Sequence, residues 1–178
     1  METFRFKLCL CGAAAVGKTS LFHQFISGEF KHDYTATVGA KFLTKAISLQ
    51  SEDGKTQEVN LSLWDIAGQP RFVDLRTTFY RGASGTLLLF DLTREETFKE
   101  LDLWLTELRV VTMNIPILLI GNKLDLIEER GRQVETDRAA NYAKEQELFY
   151  LETSAKTGEN VEKAFYELAR LMVSKSQG

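Results

Sequence analysis

The chain has 178 residues, a net charge of −3, and hydrophobic and charged fractions of 44% and 26%. That length suits a single domain over 1–178 with a sizeable core of its own. The negative charge argues against nucleic acid as the main partner, since phosphate backbones select basic faces, and no apolar run is long enough to cross a bilayer.

Residues 6–11 read as a short buried strand. Cys9 and Cys11 sit two apart in it, so both face the same way at a spacing poor for a disulfide. A lone C-x-C without partner histidines is a weak metal signal, and buried, reduced thiols are expected. Neither His23 nor His32 has a ligand-like neighbour in the sequence. Residues 18–27 read as a helix with Leu21, Phe22, Phe25 and Ile26 on one side, stopped by Gly28. Residues 29–40 have no clean period and are expected to form a mobile loop.

Residues 41–50 and 56–65 flank an Asp53-Gly54 pair, the mark of a hairpin. Residues 66–82 are irregular, with a short helix expected towards Phe79. Residues 86–90 and 115–120 are continuous apolar runs, which predicts strands covered on both faces. Between them, 95–112 reads as one helix with Phe98, Leu101, Leu105, Leu108 and Val111 as its core stripe. A polar helix over 136–146, a strand over 148–151 and a closing helix carrying Val161, Ala164, Phe165, Leu168 and Met172 complete the chain.

Strands alternating with helices predict parallel strands joined by right-handed crossovers. The class is therefore α/β: a six-stranded mixed sheet, five strands parallel and one antiparallel, with helices on both faces. Ligands of such sheets bind at the carboxyl ends of the strands. That gathers the loops after Cys11, Asp65, Gly121 and Leu151.

The first of these loops is Gly12-Ala13-Ala14-Ala15-Val16-Gly17-Lys18-Thr19, which fits G-x-x-x-x-G-K-[ST] between a strand and a helix. Such a loop wraps phosphates with inward N–H groups, backed by the free N–H groups and positive end of the helix. Lys18 is placed to reach the terminal phosphates and the Thr19 hydroxyl to ligate Mg²⁺. In Asn122-Lys123-Leu124-Asp125, the Asp125 carboxylate can accept two N–H bonds from the edge of guanine, which adenine does not offer. A polar site of this kind rejects the wrong base strongly. Ser154-Ala155-Lys156 follows the last strand, where N–H groups could meet the base carbonyl, and Phe30 could stack on the base or lie in the core. Asp65 ends a strand where it can hold Mg²⁺, directly or through water. Gly68 allows an N–H close to a terminal phosphate, and Gln69 carries the donor and acceptor needed to position an attacking water. Thr37 in the mobile loop is a second hydroxyl for the metal.

Together these loops resemble the Ras superfamily of small GTPases, and within it the Rab branch. The likeness is carried by Tyr34-Thr35-Ala36-Thr37-Val38-Gly39, Trp64-Asp65-Ile66-Ala67-Gly68-Gln69, Phe79-Tyr80-Arg81-Gly82-Ala83 and Thr153-Ser154-Ala155-Lys156-Thr157-Gly158-Glu159-Asn160-Val161. The resemblance implies GDP or GTP as ligand, held by Ala14, Ala15, Val16, Gly17, Lys18, Thr19 and Ser20, with Phe30, Tyr34, Thr37 and Gly68. Guanine would be read by Asn122, Lys123, Asp125, Ser154, Ala155 and Lys156, and Mg²⁺ held by Thr19, Thr37 and Asp65. Gln69 would be catalytic, and 29–40 and 66–82 would be the two switches. Exchange factors, activating proteins and effectors are the implied partners, and the chain is expected to act as a monomer. With no arginine in the phosphate loop, intrinsic turnover on the order of 10⁻⁴ to 10⁻³ s⁻¹ is expected, as for Ras.

Two departures stand out. Ala14 replaces a Ras glycine, and its methyl is expected to crowd Gln69 or an incoming arginine. Pro70 stands where Rab proteins are usually acidic; it disfavours helical geometry at Gln69 and suits the first turn of a following helix. Ser174-Lys175-Ser176-Gln177-Gly178 has no cysteine for a prenyl anchor. A cytoplasmic location is expected, with membrane association only through a further tail or a partner. A metabolic ATPase or kinase and a permanently loaded scaffold remain as rivals, opposed by Asn122-Lys123-Leu124-Asp125 and by Gln69 with Thr37 respectively.

Overall fold

The computed structural model describes residues 2–31 and 35–178. Its strands are β1 (Glu2–Gly12), β2 (Ala40–Gln50), β3 (Thr56–Ile66), β4 (Gly85–Asp91), β5 (Ile117–Asn122) and β6 (Phe149–Glu152). Its helices are α1 (Lys18–Ser27), α2 (Val73–Tyr80), α3 (Glu95–Lys99), α4 (Leu101–Thr112), α5 (Ile127–Arg130), α6 (Thr136–Glu145) and α7 (Val161–Gln177). The six strands form one sheet in the order β2-β3-β1-β4-β5-β6, with β2 antiparallel to β3 and every other pairing parallel. This is the expected mixed α/β sheet.

The fully apolar strands sort their side chains by the two-residue period of a strand. Leu8, Leu10, Leu87, Leu89, Leu118 and Ile120 face one layer with α1 and α7, where the rings of Phe25 and Phe165 stack at 3.9 Å. Cys9, Cys11, Leu88, Phe90 and Leu119 face the other, with Trp104, Leu105 and Leu108 of α4 and Ala139 and Ala143 of α6. Each fully buried Leu or Phe contributes about 1.5–3 kcal/mol over its exposed state. Both cysteines are free and buried, and burial pushes the Cys9 thiol up to about 12, so neither is a ready nucleophile.

Several elements differ from expectation: the strand expected over 115–120 runs as β5 two residues later and that over 148–151 as β6 one residue later. β1 begins at Glu2 rather than Phe6, because Glu2 to Arg5 pair in register with Gln57 to Asn60 of the long β3. Those residues are mostly exposed, so no apolar run announces them. The single helix expected over 95–112 is interrupted at Glu100, where ψ is −8°. The core stripe passes through unchanged, because Phe98, Leu101, Leu105 and Leu108 keep three- and four-residue spacing across the interruption. The one-turn helix α5 lies in a stretch too short to show a period.

The chain leaves β1 towards β3 on one side and β4 on the other, so the end of β1 is the point where strand order reverses. Such a point opens a crevice for a ligand.

Candidate functional site

A cleft of about 990 Å³ opens at that point. It is lined by Ala14, Ala15, Gly17, Lys18, Thr19, Ser20, Phe30, Thr37, Gly68, Gln69, Asn122, Lys123, Asp125, Ala155 and Lys156, which is most of the set expected from the sequence. Val16, Ser154 and Asp65 are not on its wall. Val16 is fully buried in the α1–α7 layer, and the other two act through neighbours described below. Tyr34 lies outside the described residues. Added to the set are His23, Lys31, Thr35, Lys41, Leu126 and Arg130. Apart from Thr35, which lies beside Thr37 in its motif, and Leu126, which follows Asp125, no motif announces them; they arrive because their elements border the opening. Among the described residues, the wall thus carries the cations Lys18, Lys31, Lys41, Lys123, Arg130 and Lys156 against the single carboxylate of Asp125. In a chain of net charge −3, that local positive field selects a polyanion.

The phosphate end is built by backbone geometry. α1 starts at Lys18 with no side-chain cap and no acidic residue in its first turn, so its first N–H groups and dipole face the cleft uncompensated. Lys18 is 6% exposed and donates to the carbonyls of Gly12 at 2.6 Å and Ala13 at 2.7 Å. Burial lowers its pKa to about 8. A buried ammonium held this way gains most from an anion of its own.

Beside it, three hydroxyl and carboxylate groups converge. Thr19 Oγ1 lies 2.9 Å from Thr37 Oγ1 and donates to Asp65 Oδ2 at 2.5 Å, while Thr37 Oγ1 is 3.5 Å from the same oxygen. Asp65 is fully buried, and its Oδ1 has no hydrogen-bond partner among the described residues. Burial raises its pKa, against the opposing pull of the Thr19 hydrogen bond and the Lys18 charge. An orphaned buried carboxylate oxygen and two hydroxyls, with no nitrogen or sulfur among them, form a hard oxygen set that fits Mg²⁺.

The base end is a set of ties across the sheet. Asn122, 1% exposed, donates Nδ2–H to the Val16 carbonyl at 3.0 Å, and its Oδ1 accepts from Thr153 Oγ1 at 2.9 Å and the Ala155 N–H at 3.3 Å. Its side chain thereby stitches the phosphate loop to the loop after β6. Lys123 donates to the Ala15 carbonyl at 2.6 Å and pairs with the buried Asp91 at 2.9 Å. Ser154 Oγ donates to Asp125 Oδ1 at 2.6 Å and accepts from the Thr157 N–H, which aims the Asp125 carboxylate. Asp91 was not foreseen; its one visible signal is a carboxylate closing an otherwise apolar strand.

Gly17 has φ 99°, and a Cβ there would collide with Asn122 Nδ2. Gly17→Ala is therefore expected to break the Asn122–Val16 tie and speed release of a fluorescent GDP analogue at least tenfold, given about 1–3 kcal/mol of backbone strain. Unchanged release would show that the tie does not shape the loop.

A model of the Ras family matches residues 7–174. This chain belongs to the Ras family. Among the relatives of this small GTPase is the Ras-related protein Rab-4B of Homo sapiens, 45% identical over 173 residues, covering 97% of this chain and 78% of that protein. Rab-4A of Homo sapiens is 46% identical, covering 97% of this chain and 76% of that protein. Rab-4A of Danio rerio is 45% identical, with shares of 97% and 78%. The Rab-like GTPase thus binds guanine nucleotide and hydrolyses GTP.

The Rab-like GTPase keeps Gln69 on the cleft wall at φ −70° and ψ 139°, extended as a residue before proline should be, with Pro70 opening a single 3₁₀ turn ahead of α2. Arg94 touches the phosphate loop from outside, donating to the Ala14 carbonyl at 3.4 Å, and does not line the cleft. Among the described residues, no helix is long and apolar enough to cross a membrane.

Proposed function

We propose that this Rab-like GTPase is a Mg²⁺-dependent switch in vesicle trafficking or signalling. Its loops 29–40 and 66–82 take an effector-binding shape only with GTP bound, and hydrolysis stays slow until an activating protein supplies an arginine. The reading is carried by the oxygen triangle of Thr19, Thr37 and Asp65, which draws the first loop onto the phosphate loop. When bound, Mg²⁺ would supply positive charge beside the terminal phosphates. Lys18 would anchor those phosphates, Thr37 would couple its loop to them, and Gln69 would orient the attacking water. Guanine would be chosen by Asp125, buttressed by Ser154, and covered by Phe30.

The effector surface is apolar. Phe42 stacks on Trp64 at 5.0 Å, Trp64 lies 5.7 Å from Phe79, and Val38, Phe42, Val73 and Leu75 are exposed large hydrophobics of the same two loops and β2. Exposed apolar side chains gathered in this way mark an interaction site. The names of the Rab-4 relatives favour the Rab branch. A cytoplasmic monomer of one domain, recharged by an exchange factor and reaching membranes through a partner or a further tail, completes the proposal.

The test is hydrogen exchange of the two loops in protein loaded with Mg²⁺ and either GDP or a non-hydrolysable GTP analogue, with single-turnover phosphate release measured alongside. Protection confined to the GTP form and release on the order of 10⁻³ s⁻¹ or slower are expected. Identical protection in both forms would remove the switch, and competition of bound GDP by ATP as good as by GTP would remove the guanine site.

A further inference from the structure

Arg76 of α2 is 6% exposed, far below what an arginine on a two-turn surface helix needs. Its guanidinium is spent in three directions. Nε and Nη2 grip Glu107 of α4 at 2.7 and 2.9 Å, a two-pronged pair. Nη1 donates to the main-chain carbonyl of Gln69 at 3.0 Å. The flat face lies over the Trp104 ring at 4.2 Å. Tyr80 closes the group by donating its hydroxyl to Glu107 Oε1 at 2.8 Å. None of Arg76, Tyr80, Trp104 and Glu107 lines the nucleotide cleft.

We infer that Glu107, acting through Arg76, is a positioning residue that fixes the backbone of Gln69 and so aims its side-chain amide during GTP hydrolysis. This rests on the reading that Gln69 orients the water.

The physical case begins with what a buried ion pair does poorly. Taking both charges out of water costs nearly as much as their attraction returns, so apolar residues of the same volume would hold α2 on α4 as well. What they would not provide is a directional donor for one chosen carbonyl. That carbonyl belongs to the residue beside the reacting phosphate. Gln69 follows a glycine, whose backbone is permissive, and precedes a proline, whose φ is fixed. Its own ψ is therefore the hinge between the wall of the cleft and α2. Pro70 confines that ψ to the extended region; the Gln69 carbonyl accepts from the Phe72 N–H at 3.1 Å and from Arg76, and the second bond fixes where within that region it rests, at 139°. The arginine fork is rigid only because Glu107 holds two of its nitrogens and Trp104 holds its face. Burial pushes the Tyr80 hydroxyl up, which keeps it a donor to Glu107 at any working pH.

The experiment uses the full chain with Mg²⁺ and preloaded GTP, and reads single-turnover phosphate release, GDP dissociation and melting temperature. Glu107→Gln keeps an acceptor for Tyr80 and loses the charge; Arg76→Lys keeps the charge that Glu107 needs and loses the fork. Each is expected to slow release about tenfold, as partners behind a reacting group do, with GDP dissociation within about twofold because neither touches the nucleotide. In a Gln69→Leu background, Glu107→Gln is expected to slow release no further. Release unchanged in both single variants while Gln69→Leu alone is slow overturns the relay and leaves Gln69 in its role. Slowing that persists undiminished in the Gln69→Leu background also overturns it, since the effect then passes through the fold and not through Gln69. A Gln69→Leu protein as fast as the parent overturns the reading of Gln69 itself, and the relay with it. Should Glu107→Gln not fold, Arg76→Lys carries the same cycle.

Discussion

Lys18→Met is expected to weaken GDP binding roughly a thousandfold, the loss of charge-assisted bonds to two phosphates at about 1.5–3 kcal/mol each. The same change is expected to erase a pH dependence of the nucleotide-free protein. Burial lowers the Lys18 pKa from 10.5 to about 8. Below pH 8 the group is protonated in both folded and unfolded chains, and the full cost of burying the ammonium, about 3 kcal/mol, is present. Between pH 8 and 10.5 the unfolded chain binds more protons than the folded one, so this contribution to stability rises with pH. Methionine has similar length and no charge, so its background lacks the rise. Thermal melts of both proteins, stripped of nucleotide with a chelator and scanned from pH 7 to about 10, make the comparison. Parallel curves would show that the ammonium is not desolvated in the empty cleft. Bound phosphates would supply the further counter-charge, so on the proposed function the destabilising group of the empty protein would be the principal anchor of the loaded one.

Asp125→Ala is the second large effect. The carboxylate is aimed by Ser154 Oγ at 2.6 Å and stands at the mouth of β5 beside Asn122 and Lys123, whose own side chains are committed to the Val16 and Ala15 carbonyls. On the proposed function, the acceptor for the N–H edge of guanine would therefore be Asp125 alone among these three. Sites built to hydrogen-bond a ligand edge discriminate by about 10⁴–10⁵, because a mismatch leaves buried groups unpaired. Removing the carboxylate is expected to lower GDP affinity by about 10⁴-fold, with ATP binding unchanged, so the preference of GTP over ATP collapses towards unity. Competition titrations against a fluorescent GDP analogue measure both. A variant that still prefers GTP by three or more decades would place guanine recognition elsewhere in the cleft.

Much of the site could be read without coordinates because its parts are local. The span from Gly12 to Thr19 needs only the spacing of two glycines, a lysine and a hydroxyl for its backbone to curve and its helix to begin. Asp65 to Gln69, Asn122 to Asp125 and Thr153 to Lys156 are likewise short runs at strand ends. Alternation of apolar runs and helical stripes then placed those ends on one edge of a sheet. Where the reading slipped, the governing partner was distant. β1 reaches back to Glu2 because β3 pairs with it, although its own first residues carry no burial pattern.

The roles inside the site were less visible than its membership. Asn122 spends its amide on Val16, 106 positions away, and on the loop after β6. Lys123 is held by Asp91, which no motif marks. Arg76 and Glu107 stand 31 positions apart on two different helices.

Residue order by itself determined the curvature of the phosphate loop, the start of α1, the extended backbone at Gln69 before Pro70 and the two-faced layering of the strands. Each depends on dihedral preferences and on periods of two or about three and a half residues, which neighbours along the chain set between them. Only the tertiary structure decided which carboxylate steadies Lys123, which carbonyl Asn122 takes, and that a glutamate on α4 grips the arginine behind Gln69. Such pairings depend on strand order and on how helices settle against the sheet. They join residues whose separation in the chain says nothing of their distance in space.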